Sequence, residues 1–539
     1  MAGTLRRLTA AGGALPAAVL WIAPLLLSLA MLAPAALDAR AWQMLFGHPQ
    51  LWPGLVLSLV TGGIATLLAL GMAMTILAGL PAQRVVRGLA AAGLALPHLA
   101  FAIGLGFLIM PSGLMARLVV GGDAPPSLIT VQDPWGLSLT AALALKELPF
   151  LLTAAIAALA RGDAAGRLAQ QCRAAASLGH GAGSAWLRIV LPQLLQELRW
   201  PLVIVFVYGA TVVDMALVLG PTQPPTLGVT IWHALNDADA ATNRMGLAMT
   251  LLLTMALAAV LALAAALLGL TRAWRRAFLA AGPSLLAAPR RAALLLLVTA
   301  SVTMGGTILI LGLLSLSRRW PYPAIMPPAI DLAAWSTLAA SPAPLWLSLG
   351  LSLAVAAAAL VLALVWFETQ PLPRDRWLIG LALTSLALPQ LAIAGGQYRL
   401  FLATGVTGTL PGLFLAHLAP AFAYVVIVLQ GPYRAFDERY VKVAHSLSVP
   451  APAAWALVKL PLLKAPLLTT AAIAFAVSIM QFIPAQLVAA GRYSTMPMEA
   501  VTLAAGGNRP LTAAFALALA MPPLIAFLGA ALLGRPRWR

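Results

Sequence analysis

The chain has 539 residues, of which 62% are apolar and only 9% charged, and it carries a formal net charge of +18. A soluble protein of this size needs far more surface charge, so most of the polypeptide must face lipid or other helices. The single cysteine, Cys172, excludes an intrachain disulfide, and no Cys/His group has zinc spacing.

About 20 apolar residues cross a bilayer as a helix, and the need to satisfy backbone hydrogen bonds in lipid makes helix the only sensible reading of such runs. Six occur near 15–36, 54–80, 89–110, 138–160, 200–220 and 246–270. Six more lie near 293–315, 346–368, 378–404, 410–430, 465–485 and 511–533. The first follows Arg6 and Arg7 as a signal peptide would, but it is too long and no small-residue cleavage pattern closes it, so it reads as a membrane helix. Lys146 and Glu147 interrupt the fourth. The expected fold class is all-α: a polytopic membrane protein of about 12 transmembrane helices.

With both termini in the cytoplasm, 24 of the 33 Lys and Arg fall in the inside segments: the two tails, 81–88, 161–199, 271–292, 369–377 and 431–464. That is the positive-inside bias of a bacterial inner (plasma) membrane protein. It accounts for the basic balance without any nucleic-acid partner.

One stretch occurs twice. RAAASLG (Arg173–Gly179) is followed, after nine residues, by Ile189-Val190-Leu191-Pro192. KVAHSLS (Lys442–Ser448), 269 residues later, is followed after nine residues by Val458-Lys459-Leu460-Pro461. Leu96-Pro97-His98-Leu99-Ala100 likewise recurs as Leu388-Pro389-Gln390-Leu391-Ala392, and Thr226-Leu227 as Thr495-Met496. The pattern predicts two parallel six-helix repeats, 1–270 and 293–539, joined by a basic cytoplasmic linker, 271–292, that Gly282-Pro283 interrupts. The first repeat is 23 residues longer between the two motifs, an excess assigned to an outside segment, Pro111–Gly136.

The loops 161–199 and 431–464 are the longest inside segments and have helical composition. In the first, Ala174–Ala176 form a smooth helical surface and Gly179 supplies a positive φ to end the helix. A second short helix follows, which Leu191-Pro192 is expected to break before the next span.

The pattern Glu-Ala-Ala, three residues, Gly, nine residues, Ile, any residue, Leu-Pro resembles the EAA loop of permease subunits in binding-protein-dependent ABC importers. The first copy matches at Ala174, Ala175, Gly179, Ile189, Leu191 and Pro192, with Arg173 in the acidic position. The second matches at Ala444, Leu460 and Pro461 and departs at Lys442, Val443, Ser448 and Val458. Two copies on one chain resemble the fused permeases of the thiamine, ferric-iron and related importers, and the likeness covers nearly the whole chain. It implies a type I importer-like fold in which each loop presents a coupling helix to a cytoplasmic ATPase. Those helices would be Ala174–Gly179, including Leu178, and Val443–Ser448, including Leu447. Two ATPase copies and a periplasmic or surface solute-binding protein are the implied partners; the departures in the second copy leave equal docking open. No G-x-x-x-x-G-K-[ST] occurs and Gly-Lys never appears. ATP and Mg are therefore expected on the partner, with no cofactor on this chain, which is read as a permease and not an enzyme.

An ionisable group inside a membrane helix costs about 2.5–3.5 kcal/mol on insertion scales and usually faces a cavity or a partner. Asp214, in VVDMALVLGP, and Gln481, in SIMQFIPAQL, stand two residues out of strict register between the repeats. Val213-Asp214 and Gln481-Phe482 also resemble the family's fifth core helix. Either both residues line the translocation pathway or Asp214 pairs with a neighbouring helix and fixes packing. Lys146 and Glu147, with His417 as their second-half counterpart, are about 100° apart on a helix and cannot share one direction. Either one faces the pathway while the other pairs elsewhere, or both form a charge pair at the outer interface. Pro149 and Pro420, following these residues, are candidate gate hinges. His98, His180, His233 and His445 read as interfacial or loop residues. A six-plus-six secondary transporter, driven by a proton or sodium gradient through Asp214 and Glu147, is the alternative; a lipid-modifying membrane enzyme would need an interfacial acidic or His cluster that the sequence lacks.

Overall fold

A computed structural model of the chain describes residues 12–81, 84–120, 122–282 and 284–535. Arg6, Arg7 and Pro283 lie outside the described residues. Among those described, every regular element is helical. Among the described residues nine helices are long and apolar enough to cross a membrane, and three further pairs, each bent at a short break, bring the number to twelve when each pair counts as one span.

In chain order the principal helices begin with α1 (Gly12–Leu37), α2 (Leu51–Gly79), α3 (Arg84–Ala95), α4 (His98–Ile109) and α5 (Leu137–Leu159). They continue with α6 (Gly162–Ser177), α7 (Ala182–Glu197), α8 (Arg199–Thr211), α9 (Asp214–Leu219), α10 (Ala240–Leu270) and α11 (Arg290–Ser315). Then come α12 (Ala343–Thr369), α13 (Leu372–Ala387), α14 (Gln390–Ala403), α15 (Leu410–Arg434) and α16 (Arg439–Ser446). The last are α17 (Ala451–Leu462), α18 (Lys464–Ile479), α19 (Ile483–Ala489) and α20 (Arg509–Leu533).

The bends follow from proline chemistry. Leu388 is extended at ψ 147°, as a residue before proline prefers, and α13 and α14 meet there at 100°. The same Leu-Pro pair separates α3 from α4 at residues 96–97. Pro201 and Pro466 each stand third in the helix after a break, where the ring clashes with the carbonyl four residues back. Accordingly α7 and α8 meet at 65°, and α17 and α18 at 77°.

Helix packing in lipid rests on close approach, because lipid tails are as apolar as leucine. The chain meets this with small residues at helical spacing. Ala65, Ala69 and Ala73 of α2 are 2%, 0% and 0% exposed, and Val355, Ala359 and Ala363 of α12 are all 0% exposed.

Contacts divide the chain into two compact units that interleave along the sequence. One comprises Asp38–Thr337 and Leu503–Leu517. Within it α2 packs against α5, α8 and α11, α4 against α11, and α3 against α5. The buried Ser58 hydroxyl on α2 accepts the Leu227 N–H at 2.9 Å. Asp133 caps the start of α5, accepting from the N–H groups of Leu137 (2.8 Å) and Ser138 (2.9 Å) and from the Ser138 hydroxyl (2.9 Å). Burial by itself would raise its pKa, but these hydrogen bonds outweigh burial and hold the carboxyl below its ordinary value.

The other unit comprises Met1–Leu37, Leu338–Thr502 and Ala518–Arg539. There α12 packs on α15 and α18, α13 on α15, and α1 on α14. Trp21 of α1 is 1% exposed, donates from Nε1 to the Ala419 carbonyl at 2.7 Å, and meets Phe422 edge-on at 5.0 Å. A Cβ at Gly396 of α14 would come within 2.1 Å of the Ser28 carbonyl oxygen, so α1 is seated where only glycine fits. The Ser348 hydroxyl accepts the Met496 N–H at 2.9 Å, the same bond that Ser58 makes with Leu227.

Candidate functional site

The two polar loops end their first helices in the same way. In the first, the His180 N–H reaches the Ala175 carbonyl at 3.0 Å and the Gly179 N–H reaches Ala176 at 3.1 Å. In the second, Val449 reaches Ala444 at 3.1 Å and Ser448 reaches His445 at 3.0 Å. This 6→1 and 5→2 pairing is the Schellman cap, which needs a left-handed residue just past the helix. Gly179 supplies it at φ +85° and Ser448, despite its Cβ, at φ +61°.

Each cap buries one alanine and exposes one leucine. Ala175 and Ala444 are 6% and 7% exposed, whereas Leu178 and Leu447 are 70% and 72% exposed. Ala174 and Val443, one residue before each buried alanine, also face outward. Cys172 lies on α6, where burial pushes its thiol up. Beside α16, hydrogen bonds from Arg439 hold the Asp437 carboxyl below its ordinary value.

Leu191-Pro192 behaves differently from expectation, and Leu460-Pro461 behaves in the same way. Neither Leu191-Pro192 nor Leu460-Pro461 ends its helix. Each instead follows a π-turn, Trp186–Val190 and Trp455–Lys459, after which the helix resumes at Leu191 and Leu460. A proline lacks the N–H for its turn and crowds the carbonyl four back, and widening that turn to π geometry relieves both. The break comes later, at Leu198 and Leu463, ahead of Pro201 and Pro466. Ile189 and Val458 lie within the π-turns, both half-buried.

The second loop is pinned by charge. Lys459 lies 2.8 Å from both Glu368 and Glu438, and Trp455 Nε1 donates to Glu368 at 3.0 Å. Tyr433 donates to Glu368 as well. Nearby, Arg434 grips Asp375 through Nε at 2.6 Å and Nη2 at 2.9 Å, while its remaining N–H groups reach the carbonyls of Phe367 and Gln370.

Buried polar groups form a separate set. Lys146 and Glu147 lie near the middle of one continuous helix, α5, at 2% and 6% exposure. Their separation around the helix sends them to different neighbours. Lys146 Nζ donates to the Gly93 carbonyl at 3.0 Å, and Glu147 lies 3.2 Å from His98 Nε2. His98 is therefore not a loop residue: it opens α4, its ring lies 4.9 Å from that of Tyr208 and tilted to it by 58°, and it sits in the fields of Lys146, Glu147 and Asp214. Its sole sequence signal was its place behind Leu96-Pro97, where Gln390 stands in the second copy.

Asp214 is the first residue of α9, just beyond a break at residues 212–213. Gln481 lies inside the matching break between α18 and α19. It donates to the His417 carbonyl at 2.9 Å, and His417 Nδ1 lies 3.1 Å from the Ser478 hydroxyl. His417 Nε2 and Gln481 Oε1 are buried without a hydrogen-bond partner among the described residues. The structure thus brings Lys146, Glu147, His98 and Asp214 together in one unit, and His417, Ser478 and Gln481 together in the other. Pro149 and Pro420 lie inside unbroken helices, and Pro149 packs into the space left by Gly93.

No protein-family model matches the chain. Over 517 residues, 95% of the chain and 94% of the relative, it is 31% identical to the inner membrane ABC transporter permease protein YnjC of Escherichia coli (strain K12).

Proposed function

The chain belongs to the inner membrane ABC transporter permeases, and from that premise we propose that it is the fused, two-repeat permease of an importer. It is a multi-pass membrane protein that transports rather than catalyses, and ATP hydrolysis falls to partner ATPase subunits. In this reading both termini are cytoplasmic and a solute-binding protein delivers a small solute at the outer face. Two ATPase copies dock on the loops around Ala174–Gly179 and Val443–Ser448.

One observation carries the reading: two Schellman-capped turns, 269 residues apart, each burying an alanine and presenting a leucine outward. A fixed turn with an exposed apolar tip suits insertion into a cleft on a soluble partner. The π-turn helix behind each tip, with Ile189, Leu191 and Pro192 or Val458, Leu460 and Pro461, would carry the displacement toward the bends at Leu198 and Leu463. Asp214, Glu147, Lys146 and His98 in one unit, and His417 and Gln481 in the other, are the groups assigned to the solute's route. No step of this cycle forms or breaks a covalent bond on the chain itself.

Reconstitution in proteoliposomes tests the proposal. Uptake should require the ATPase, ATP and the binding protein, and an ion gradient without ATP should drive none. Uptake by the purified chain alone on a proton or sodium gradient would replace this reading with a secondary transporter.

A further inference from the structure

The segment joining the two sequence halves is fastened to one of the two loops. The Gly181 N–H donates to the Ser284 carbonyl at 2.8 Å, and the Gly183 and Ser184 N–H groups donate to Leu286 at 2.9 and 3.3 Å. Arg188 Nη1 donates to the carbonyls of Ala281 and Gly282, each at 2.6 Å, and its guanidinium lies 5.4 Å over the Phe278 ring.

The first N–H groups of a helix have no partner within it. Here α7 begins at Ala182, so Gly181, Gly183 and Ser184 are such donors, and the linker carbonyls accept from them. The fit is tight. A Cβ at Gly181 would lie 2.6 Å from the Leu286 oxygen, and one at Gly183 would lie 2.3 Å from the Ala287 oxygen.

The second loop meets the same helix-end problem differently. At the 269-residue spacing, Pro450 and Pro452 replace Gly181 and Gly183, and Leu457 replaces Arg188. Proline has no N–H to donate and carries the Cβ that such a strap would strike. That loop is held instead by Lys459 between Glu368 and Glu438.

We propose that Ala281–Gly282 and Ser284–Ala287 form a strap that belongs to the first coupling loop alone, with Gly181, Gly183 and Arg188 as the positioning residues that hold it. The mechanical part rests on the coupling-loop reading above: displacement of the first loop is passed to the join between the halves, while displacement of the second is passed to the ends of α12 and α15. The two levers are therefore unequal by construction, and a loosened strap lets ATP be spent without moving solute.

Hydrogen exchange on the full chain, with and without its ATPase, judges the strap. The amides of Gly181, Gly183 and Ser184 should exchange slowly. Gly183→Val, or replacement of residues 284–287 by a Gly/Ser segment of equal length, should speed them about tenfold, the weight of one or two net hydrogen bonds. The amides of 451–455 should not respond. Arg188→Ala, which spares the backbone partners, should give a smaller acceleration in the same place. In proteoliposomes each variant should keep its ATPase bound yet hydrolyse more ATP per solute moved. Unchanged exchange overturns the proposal, as does faster exchange with the wild-type ATP-to-solute ratio. If the wild-type chain bound no ATPase, the coupling reading would fall, and the exchange result would still decide whether the strap exists.

Discussion

Gly179 and Ser448 hold the same left-handed turn, at φ +85° and +61°, beneath the same pair of backbone hydrogen bonds. A Cβ in that region costs about 1 kcal/mol, and a β-branched residue costs more. Ser448→Gly should therefore stabilise the second loop by about 1 kcal/mol, and Gly179→Val should destabilise the first by about 1–3 kcal/mol. Local hydrogen exchange over 174–181 and 443–450 reads both. Equal exchange in Gly179→Val and wild type would show that the turn does not need its glycine.

Gly93 accommodates two groups from α5: the Lys146 ammonium on its carbonyl and the Pro149 ring where a side chain would be. A Cβ there would lie 2.3 Å from Pro149 Cγ. Gly93→Val should lower stability by about 2–4 kcal/mol, at or above the usual cost of overpacking. Lys146→Met keeps the stem volume and removes a buried charge together with its desolvation cost, so it should stay within about 1.5 kcal/mol of wild type. Thermal unfolding in detergent separates the two; a large loss in Lys146→Met would make the ammonium a structural anchor.

Asp133 gives a pH dependence with a definite sign. Its folded pKa lies below the ordinary carboxylate value of 3.8, so its contribution is complete above pH 3.8 and is lost as pH falls through the folded value. Asp133→Asn should be less stable than wild type at pH 6, and the gap should close below pH 3.8. A gap that widened on acidification would contradict the cap.

Trp21 ties α1 to α15 through the Ala419 carbonyl and the edge of Phe422. Trp21→Phe keeps most of the buried ring and should cost about 1 kcal/mol, the worth of one hydrogen bond. Trp21→Ala should cost about 3–5 kcal/mol through the cavity it leaves. Unfolding midpoints that matched for the two variants would show that the ring's volume does not seat α1.

Much of this was legible in the residues. Twelve apolar runs gave the number of spans, though the run at 89–110 crosses the break between α3 and α4, and Gly179 marked a helix end through its backbone freedom alone. Leu191-Pro192 misled, because one proline can be absorbed by a π-turn; Pro201 and Pro466, each placed within the first turn of the following helix, gave the bends. Lys146 and Glu147 kept two readings open because sequence records their cost but not the Gly93 carbonyl and His98 ring they meet. His98 itself had no helical periodicity to betray it, since it starts a helix after a proline. The packing of α1 on α14 depends on Gly396 and Ser28, 368 residues apart, and nothing local announces such a pair.

The central claim is that Leu178 and Leu447 are the tips that enter the ATPase. Single cysteines at those positions, in a Cys172→Ser background, can be joined to the co-purified ATPase by a short thiol-directed photocrosslinker. Both should crosslink in the assembled complex, and a nucleotide-trapped state should change the yield at each. An intact complex in which neither cysteine reaches the ATPase would contradict the account.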